Sequence, residues 1–377
     1  MLTTYFRSSS YNNWDFCQMQ YFMTYVLGYA YPAGQKAEQG TIVHKVLECL
    51  AVIKKEIQDN PSSDFIDDPQ LGKIEFDSQN WLKVKFLTKS EVAKVNLSRK
   101  AKSIYKSKCT IEEGHMRRGI DLVEYIFEKA YNYYKDKSVQ TWKPAQRRDC
   151  HNWTWMALDY KNGMFDPRQK TIMDAEPHFD IEINRPWAKF EYENAAGELI
   201  SGNLAIKGTI DLITSVGEGI LEIVDWKTGQ RVDWSTRTME KKTYEKLCKD
   251  PQLMLYYYAA RHMYPEAEAI ILTIFFIRDG GPFSMSFDDA TMIEMERLLE
   301  KRFKEIVKSQ KPKMLDPRQG VFKCTKLCPF FKHNFEGSDK NMCLEANELI
   351  QLKGIDYVTE NYTKEGHSIG TYNAPGE

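Results

Sequence analysis

Asp211, Asp225 and Lys227 are the residues of this chain whose types and spacing suit hydrolytic chemistry. They lie in GTIDLITSVGEGILEIVDWKTGQ, residues 208–230. Leu204, Ile206, Ile210 and Leu212 alternate with the period of a strand, Ser215 to Gly219 make a turn, and a second strand ends in Asp225-Trp226-Lys227. Residues two apart on a strand share a face, so a carboxylate and an ammonium stand side by side, with Asp211 on the neighbouring strand able to approach them. Phosphodiester hydrolysis needs a neutralised phosphate, hydroxide at neutral pH and stabilisation of the charge that develops. Carboxylates holding Mg²⁺ or Mn²⁺ supply the first two, and a nearby ammonium helps with the third.

The triplet itself says little, because Asp159-Tyr160-Lys161 and Glu240-Lys241-Lys242 have the same form. Only Asp225-Trp226-Lys227 ends a predicted strand beside a second Asp and is followed by Thr228-Gly229. The bland reading of the pair is a salt bridge at a strand end.

The elements that must position these residues read as follows. A helix runs from Glu38, with Val43, Val46, Leu47, Leu50 and Ile57 at helical spacing and Asp59-Asn60-Pro61 as its stop; His44 sits beside that stripe. Phe179, Ile181 and Ile183 alternate as a first strand, followed by the two strands of the opening stretch. Asp250-Pro251 starts a helix to Met263, Ala269–Ile277 is a buried strand, residues 282–287 return as a hairpin, and a helix covers Asp288–Lys308. The order is helix, three strands, helix, strand: a mixed α/β core with a central sheet, once residues 59–175 are set aside as a mainly helical insertion. The ranges are then 1–58, the N-terminal helical part; 59–175, the insertion; 176–310, the core; 311–350, a cysteine-bearing region; and 351–377, a tail.

With 377 residues, 42% hydrophobic, 28% charged and a net charge of −1, the chain excludes a globally basic nucleic-acid coat, so any such surface is local. One candidate is the run from Trp81 to Arg118, with eleven Lys or Arg against three Glu, which reads as a solvated helical face or a DNA-tracking surface. Another is Trp142, Trp153 and Trp155 among Lys143, Arg147, Arg148 and His151, read as core or as stacking partners for unpaired bases. MLTTYFRSSS lacks the order of a signal peptide and the longest apolar run is too short to span a bilayer, so the expectation is a cytoplasmic protein with no membrane partner. No phosphate-binding loop of an ATPase is present, so unwinding would fall to a helicase partner.

An ordered set, Gly40-Thr41-x-x-His44, Gly208-x-x-Asp211, Asp225-Trp226-Lys227-Thr228-Gly229 and Gln252-x-x-x-Tyr256, resembles the PD-(D/E)XK nucleases. The branch it is most similar to holds the RecB nuclease domain, the AddB nuclease and the CRISPR-associated adaptation nucleases. The resemblance implies a restriction-endonuclease-like core and a metal bound by His44, Asp211, Asp225 and the carbonyl of Trp226. It further implies that Lys227 orients the attacking water while Gln252 and Tyr256 support the lysine and touch DNA. The activity it implies is a DNA exonuclease of replication, recombination or repair, in a bacterial cell or a phage-infected host. Its substrate would be single-stranded DNA or DNA with free ends. The alternative is a nuclease fold kept only for DNA binding within a larger complex.

Several members of that branch carry an iron–sulfur cluster on one cysteine ahead of the core and three behind it. Cys17, Cys324, Cys328 and Cys343 repeat this layout, but the trio is spaced C-x3-C-x14-C where the family has C-x2-C-x5-C. Three readings stand: a 4Fe–4S cluster, zinc on some of these cysteines with His333, and plain buried thiols.

Overall fold

The computed structural model describes residues 1, 3–78, 116–193, 198–232, 240–316 and 322–367. The basic run as far as residue 115 and the chain from 368 onward lie outside the described residues. The helices are α1 (Ser8–Phe16), α2 (Gln18–Tyr21), α3 (Gln35–Asp59), α4 (Met116–Lys137), α5 (Pro144–Leu158), α6 (Tyr244–Leu247), α7 (Pro251–Met263), α8 (Asp289–Lys308), α9 (Met342–Lys353) and α10 (Ile355–Tyr362). The strands are β1 (Tyr5–Phe6), β2 (Phe65–Asp68), β3 (Gly72–Glu75), β4 (Thr171–Ala175), β5 (His178–Glu182), β6 (Lys189–Glu193), β7 (Leu199–Asn203), β8 (Ala205–Thr209), β9 (Leu212–Gly217), β10 (Ile220–Lys227), β11 (Ala269–Phe276) and β12 (Gly281–Ser286).

A five-stranded mixed sheet in the order β12-β11-β10-β9-β4 forms the centre. Strand β10 runs antiparallel to β9 and parallel to β11, and α7 makes the connection that a parallel pair requires. A smaller sheet, β1-β8-β5, stands beside it, and β2-β3 and β6-β7 are hairpins.

Because β10 is central, both of its faces are covered. Leu221 and Ile223 join a core with α7 and α8, through residues such as Leu253, Leu255 and Leu299. Val224 and Trp226 join a second core with Ile42, Val46 and Leu50 of α3, Phe127 of α4 and Trp155 of α5. Each such side chain, once fully buried, contributes roughly 1.5–3 kcal/mol. Glu222 interrupts the apolar run without being stranded: it accepts from Thr273 Oγ1 at 2.7 Å and pairs with Lys170 at 3.3 Å.

The chain is therefore mixed α/β with central sheets flanked by helices. Three details differ from the sequence reading. The alternation from Leu204 to Leu212 covers two strands, because the chain leaves β8 after Thr209 and enters β9, in the other sheet, at Leu212. A period of two survives such a crossing, so the break leaves no mark in the pattern. Residues 59–175, besides α4 and α5, hold the β2-β3 hairpin and β4, the edge strand of the central sheet. Within 351–377, α10 buries Ile355 and Val358. Trp153 and Trp155 are core residues rather than exposed platforms. Among the described residues, no helix is long and apolar enough to cross a membrane.

Candidate active site

The end of β10 creates the site. Its pairing with β9 stops at Val224–Leu212, so Trp226 lies beyond the ladder and its N–H loses a strand partner on that side. Asp211, one residue before β9, takes that place: its Oδ2 accepts from Trp226 N at 2.8 Å. Backbone bonds from Ile210 N to Pro177 O (3.1 Å) and from Glu176 N to Asp211 O (3.2 Å) fix the crossing where Asp211 sits.

The pleat sends Trp226 to the α3 face, where its ring stands edge-on to His44, with centroids 6.4 Å apart. Asp225 and Lys227 go to the α7 face. Lys227 Nζ donates to Asp225 Oδ1 at 2.8 Å and lies 2.7 Å from Oδ2. Helix α7 presents its partners in register because Asp250 caps it, accepting from Gln252 N at 3.0 Å, and Pro251 occupies the first helical position. Gln252 and Tyr256 then fall one turn apart, and Gln252 Nε2 donates to Tyr256 Oη at 3.0 Å and approaches Asp225 Oδ1 at 3.4 Å.

His44 reaches the site from α3, with Nδ1 3.5 Å from Asp211 Oδ2. Gly40, one turn earlier, lets α3 lie against the turn after β10, since a Cβ there would stand 2.6 Å from Thr228 Oγ1. Arg278 holds the same turn by donating to Thr228 O at 3.2 Å. A Cβ on Gly229 would meet open space, so the site shows no steric demand for glycine there.

Electrostatics follow from the crowding. Burial pushes the Asp225 carboxyl up to about 6, helped by Asp211, against the opposing pull of Lys227. Burial would lower the Lys227 ammonium, but Asp225, Tyr256 and Asp211 together carry it above its usual range. At neutral pH the pair is ionised and Lys227 keeps its proton, so its ammonium is a hydrogen-bond donor and a positive charge. Burial opposes ionisation of both His44 and Asp211, yet each favours the charged form of the other, so the imidazole is raised and the carboxyl lowered.

Among the described residues, no three His, Cys, Asp or Glu side chains stand in the mutual arrangement of a formed metal centre. Asp225 is engaged by Lys227, and Asp211 by His44 and Trp226 N. The donor chemistry nonetheless fits: two carboxylates and an imidazole suit Mg²⁺ or Mn²⁺.

One acid near the site escaped the sequence reading. Glu176 has a φ of 48°, in the left-handed region, and its carboxyl is pushed up to about 7 by burial together with Glu48 and Asp211. Nothing in its local pattern marks it, because the crossing that brings it to Asp211 is a tertiary event. Likewise Lys45, the neighbour of His44, pairs with Glu48 and with Asp68 at 2.7 Å each, and the latter comes from the β2-β3 hairpin.

The four cysteines expected to act together line one pocket, but among the described residues they do not stand in the arrangement of a formed metal centre. Cys17 lies between α1 and α2, Cys324 in the π-helical turn Lys323–Leu327, Cys328 just after it and Cys343 in the first turn of α9. All four line one small apolar pocket with Met19, Met23 and Phe330. His333 does not line it, its ring being stacked on Tyr31 at 4.3 Å. Burial raises the thiols of Cys324 and Cys343 and takes Cys328 to about 11, while the backbone N–H groups of Phe331 and Phe330 favour the Cys328 thiolate. All four are free cysteines.

No curated protein matches the chain. The family model described as PD-(D/E)XK nuclease superfamily matches residues 121–331, more than half of the 377, and takes in Asp211, Asp225, Lys227, Gln252 and Tyr256. By the span of that match and the arrangement at the end of β10, this chain belongs to the PD-(D/E)XK nuclease superfamily.

Proposed function

We propose that this nuclease is a metal-dependent deoxyribonuclease of the RecB-like branch, acting as an exonuclease on single-stranded DNA or DNA with free ends. The observation that carries the reading is the meeting of Asp225, Lys227, Gln252 and Tyr256 on one face of β10 and α7, with Asp211 and His44 at the same strand end. Asp211, Asp225, His44 and the Trp226 carbonyl are the groups that would hold Mg²⁺ or Mn²⁺, which when bound supplies Lewis acidity toward the scissile phosphate and its attacking water. Lys227, kept protonated, donates a hydrogen bond that orients the water and offsets charge on the phosphate oxygens. Gln252 holds the Asp225 carboxylate and the Tyr256 hydroxyl in one orientation, so the lysine stays aimed.

For the cysteine pocket the proposed occupant is a 4Fe–4S cluster on Cys17, Cys324, Cys328 and Cys343; what favours it is that backbone N–H groups stabilise the Cys328 thiolate and that, among the described residues, no histidine lines the pocket. Zinc on the same cysteines is the second reading. Such a centre would tie Cys17 near the start to Cys343 near the end. A cytoplasmic setting, a helicase or recombination partner, and work in replication, recombination or repair complete the proposal.

Labelled DNA incubated with Mg²⁺ or Mn²⁺ tests the chemistry. Asp225→Ala and Lys227→Ala should each lose cleavage by about 10²-fold or more. Degradation as fast as the parent by either variant overturns the site. DNA binding with no metal-dependent cleavage by the parent would instead favour a DNA-binding subunit.

A further inference from the structure

Beside the start of α7 runs a groove of about 550 Å³ that the nuclease chemistry does not use. Asp250 and Pro251 form part of one wall, which puts it next to Gln252 and hence to Asp225. Helix α1 supplies Asn12, Asn13 and Phe16, and Gln20, Tyr25 and Lys323 line it as well. Phe16, Gln20 and Lys323 also line the cysteine pocket, so the groove lies between the two centres. We propose that this groove is a docking track for an unpaired DNA strand running between the cysteine pocket and the nuclease site; the proposal rests on the nuclease reading above.

Three observations carry it. The amide oxygens of Asn13 and Gln20 are buried with no hydrogen-bond partner among the described residues. A primary amide both donates to and accepts from the edge of a base, and in an unpaired strand the Watson–Crick edge is open to it as well. Phe16 and Tyr25 are partly exposed rings in the same groove, the kind of surface on which successive bases stack, and Lys323 Nζ lies 5.0 Å from the Phe16 centroid. The carboxylates lining the groove are already engaged by cations: Asp15 by Arg302 at 2.7 Å and Asp250 by Lys242 at 2.5 Å. They therefore repel an incoming phosphate weakly, and Lys323 is placed to attract it.

The test measures binding apart from cleavage. In EDTA, the anisotropy of a fluorescein-labelled oligodeoxynucleotide of about 15 nucleotides is titrated with the full chain, and then that of its blunt duplex. The single strand should bind at least about tenfold tighter than the duplex. Asn12→Asp with Lys323→Glu should weaken it about tenfold, and Lys323→Gln less, with unchanged circular dichroism. Irradiating a bound 5-iodouracil strand should cross-link it to peptides containing Phe16 or Tyr25. Equal affinity for strand and duplex, parental binding by the double variant, or cross-links confined to other segments overturns the groove. Cleavage by Asp225→Ala would overturn the nuclease site while leaving these binding results to stand on their own.

Discussion

Gly208→Ala is the substitution with the most to say about how this site is held. Gly208 lies in β8 directly opposite Phe179 of β5, and its importance is steric rather than conformational. A Cβ at 208 would stand 2.6 Å from Phe179 Cζ, 3.0 Å from Cε1 and 3.3 Å from Cε2. The ring would have to retreat by about 0.8 Å to regain an ordinary 3.4 Å contact. It has little freedom to do so, because Phe179 is buried and packs edge-on against Tyr256, with centroids 6.4 Å apart. Tyr256 in turn is bonded by Gln252, which touches Asp225. Overpacking of this kind costs about 1–3 kcal/mol. At about 2 °C per kcal/mol for a chain of this size, the melting temperature should fall by about 2–6 °C. Displacement relayed through Tyr256 and Gln252 should slow cleavage by about tenfold, since a misplacement of about 1 Å can cost 10²-fold. Thermal melting followed by circular dichroism and single-turnover cleavage of labelled DNA well below the melting range measure the two effects separately. Adding Phe179→Leu should restore part of the rate. An unchanged melting temperature and rate would refute the steric account, and a lowered melting temperature with a full rate would refute the relay.

Gln252→Ala should slow cleavage by about tenfold with little change in DNA binding, because it removes the amide that orients Asp225 and Tyr256; an undiminished single-turnover rate speaks against that role. Lys45→Met leaves Asp68 and Glu48 without their buried cation and should cost about 3–5 kcal/mol in a denaturant titration. Burial raises the Asp68 carboxyl, but Lys45 and the N–H groups of Leu71 and Gln70 carry it below its usual range. The folded state thus binds fewer protons than the unfolded one, so this stabilisation is complete above the ordinary carboxylate range and disappears as pH falls through the folded value. Asp68→Asn should flatten that acid limb of melting temperature against pH. Cys328→Ser should lower iron and visible absorbance in anaerobically purified protein if a cluster is present, with zinc and a colourless protein as the signature of the second reading.

Where local periodicity and capping decide, the sequence was legible. Helix α3 with its stop at Asp59, α7 behind its Asp250 cap and Pro251, and the buried strand β11 all follow from patterns of fewer than thirty residues. The Gln252–Tyr256 spacing and the side-by-side Asp225 and Lys227 are of the same kind, because helix and strand geometry alone fix them. Strands β4 and β1 were not legible: they are short, and their pairing with β9 and β8 comes from distant partners rather than from alternation.

Asp211 shows where the boundary falls. From the sequence it was an acid on a strand beside Asp225; in the structure it sits in the crossing between two sheets and caps the Trp226 N–H that the end of the β9 ladder leaves open. The sequence by itself determined which side chains share a face, since one turn of chain geometry suffices for that. Only the tertiary structure decided that His44 meets Asp211, that Glu176 joins them, and that Cys17 and Cys343 line one pocket. Those contacts join residues up to several hundred positions apart, and they form only when the two cores close on the faces of the central sheet.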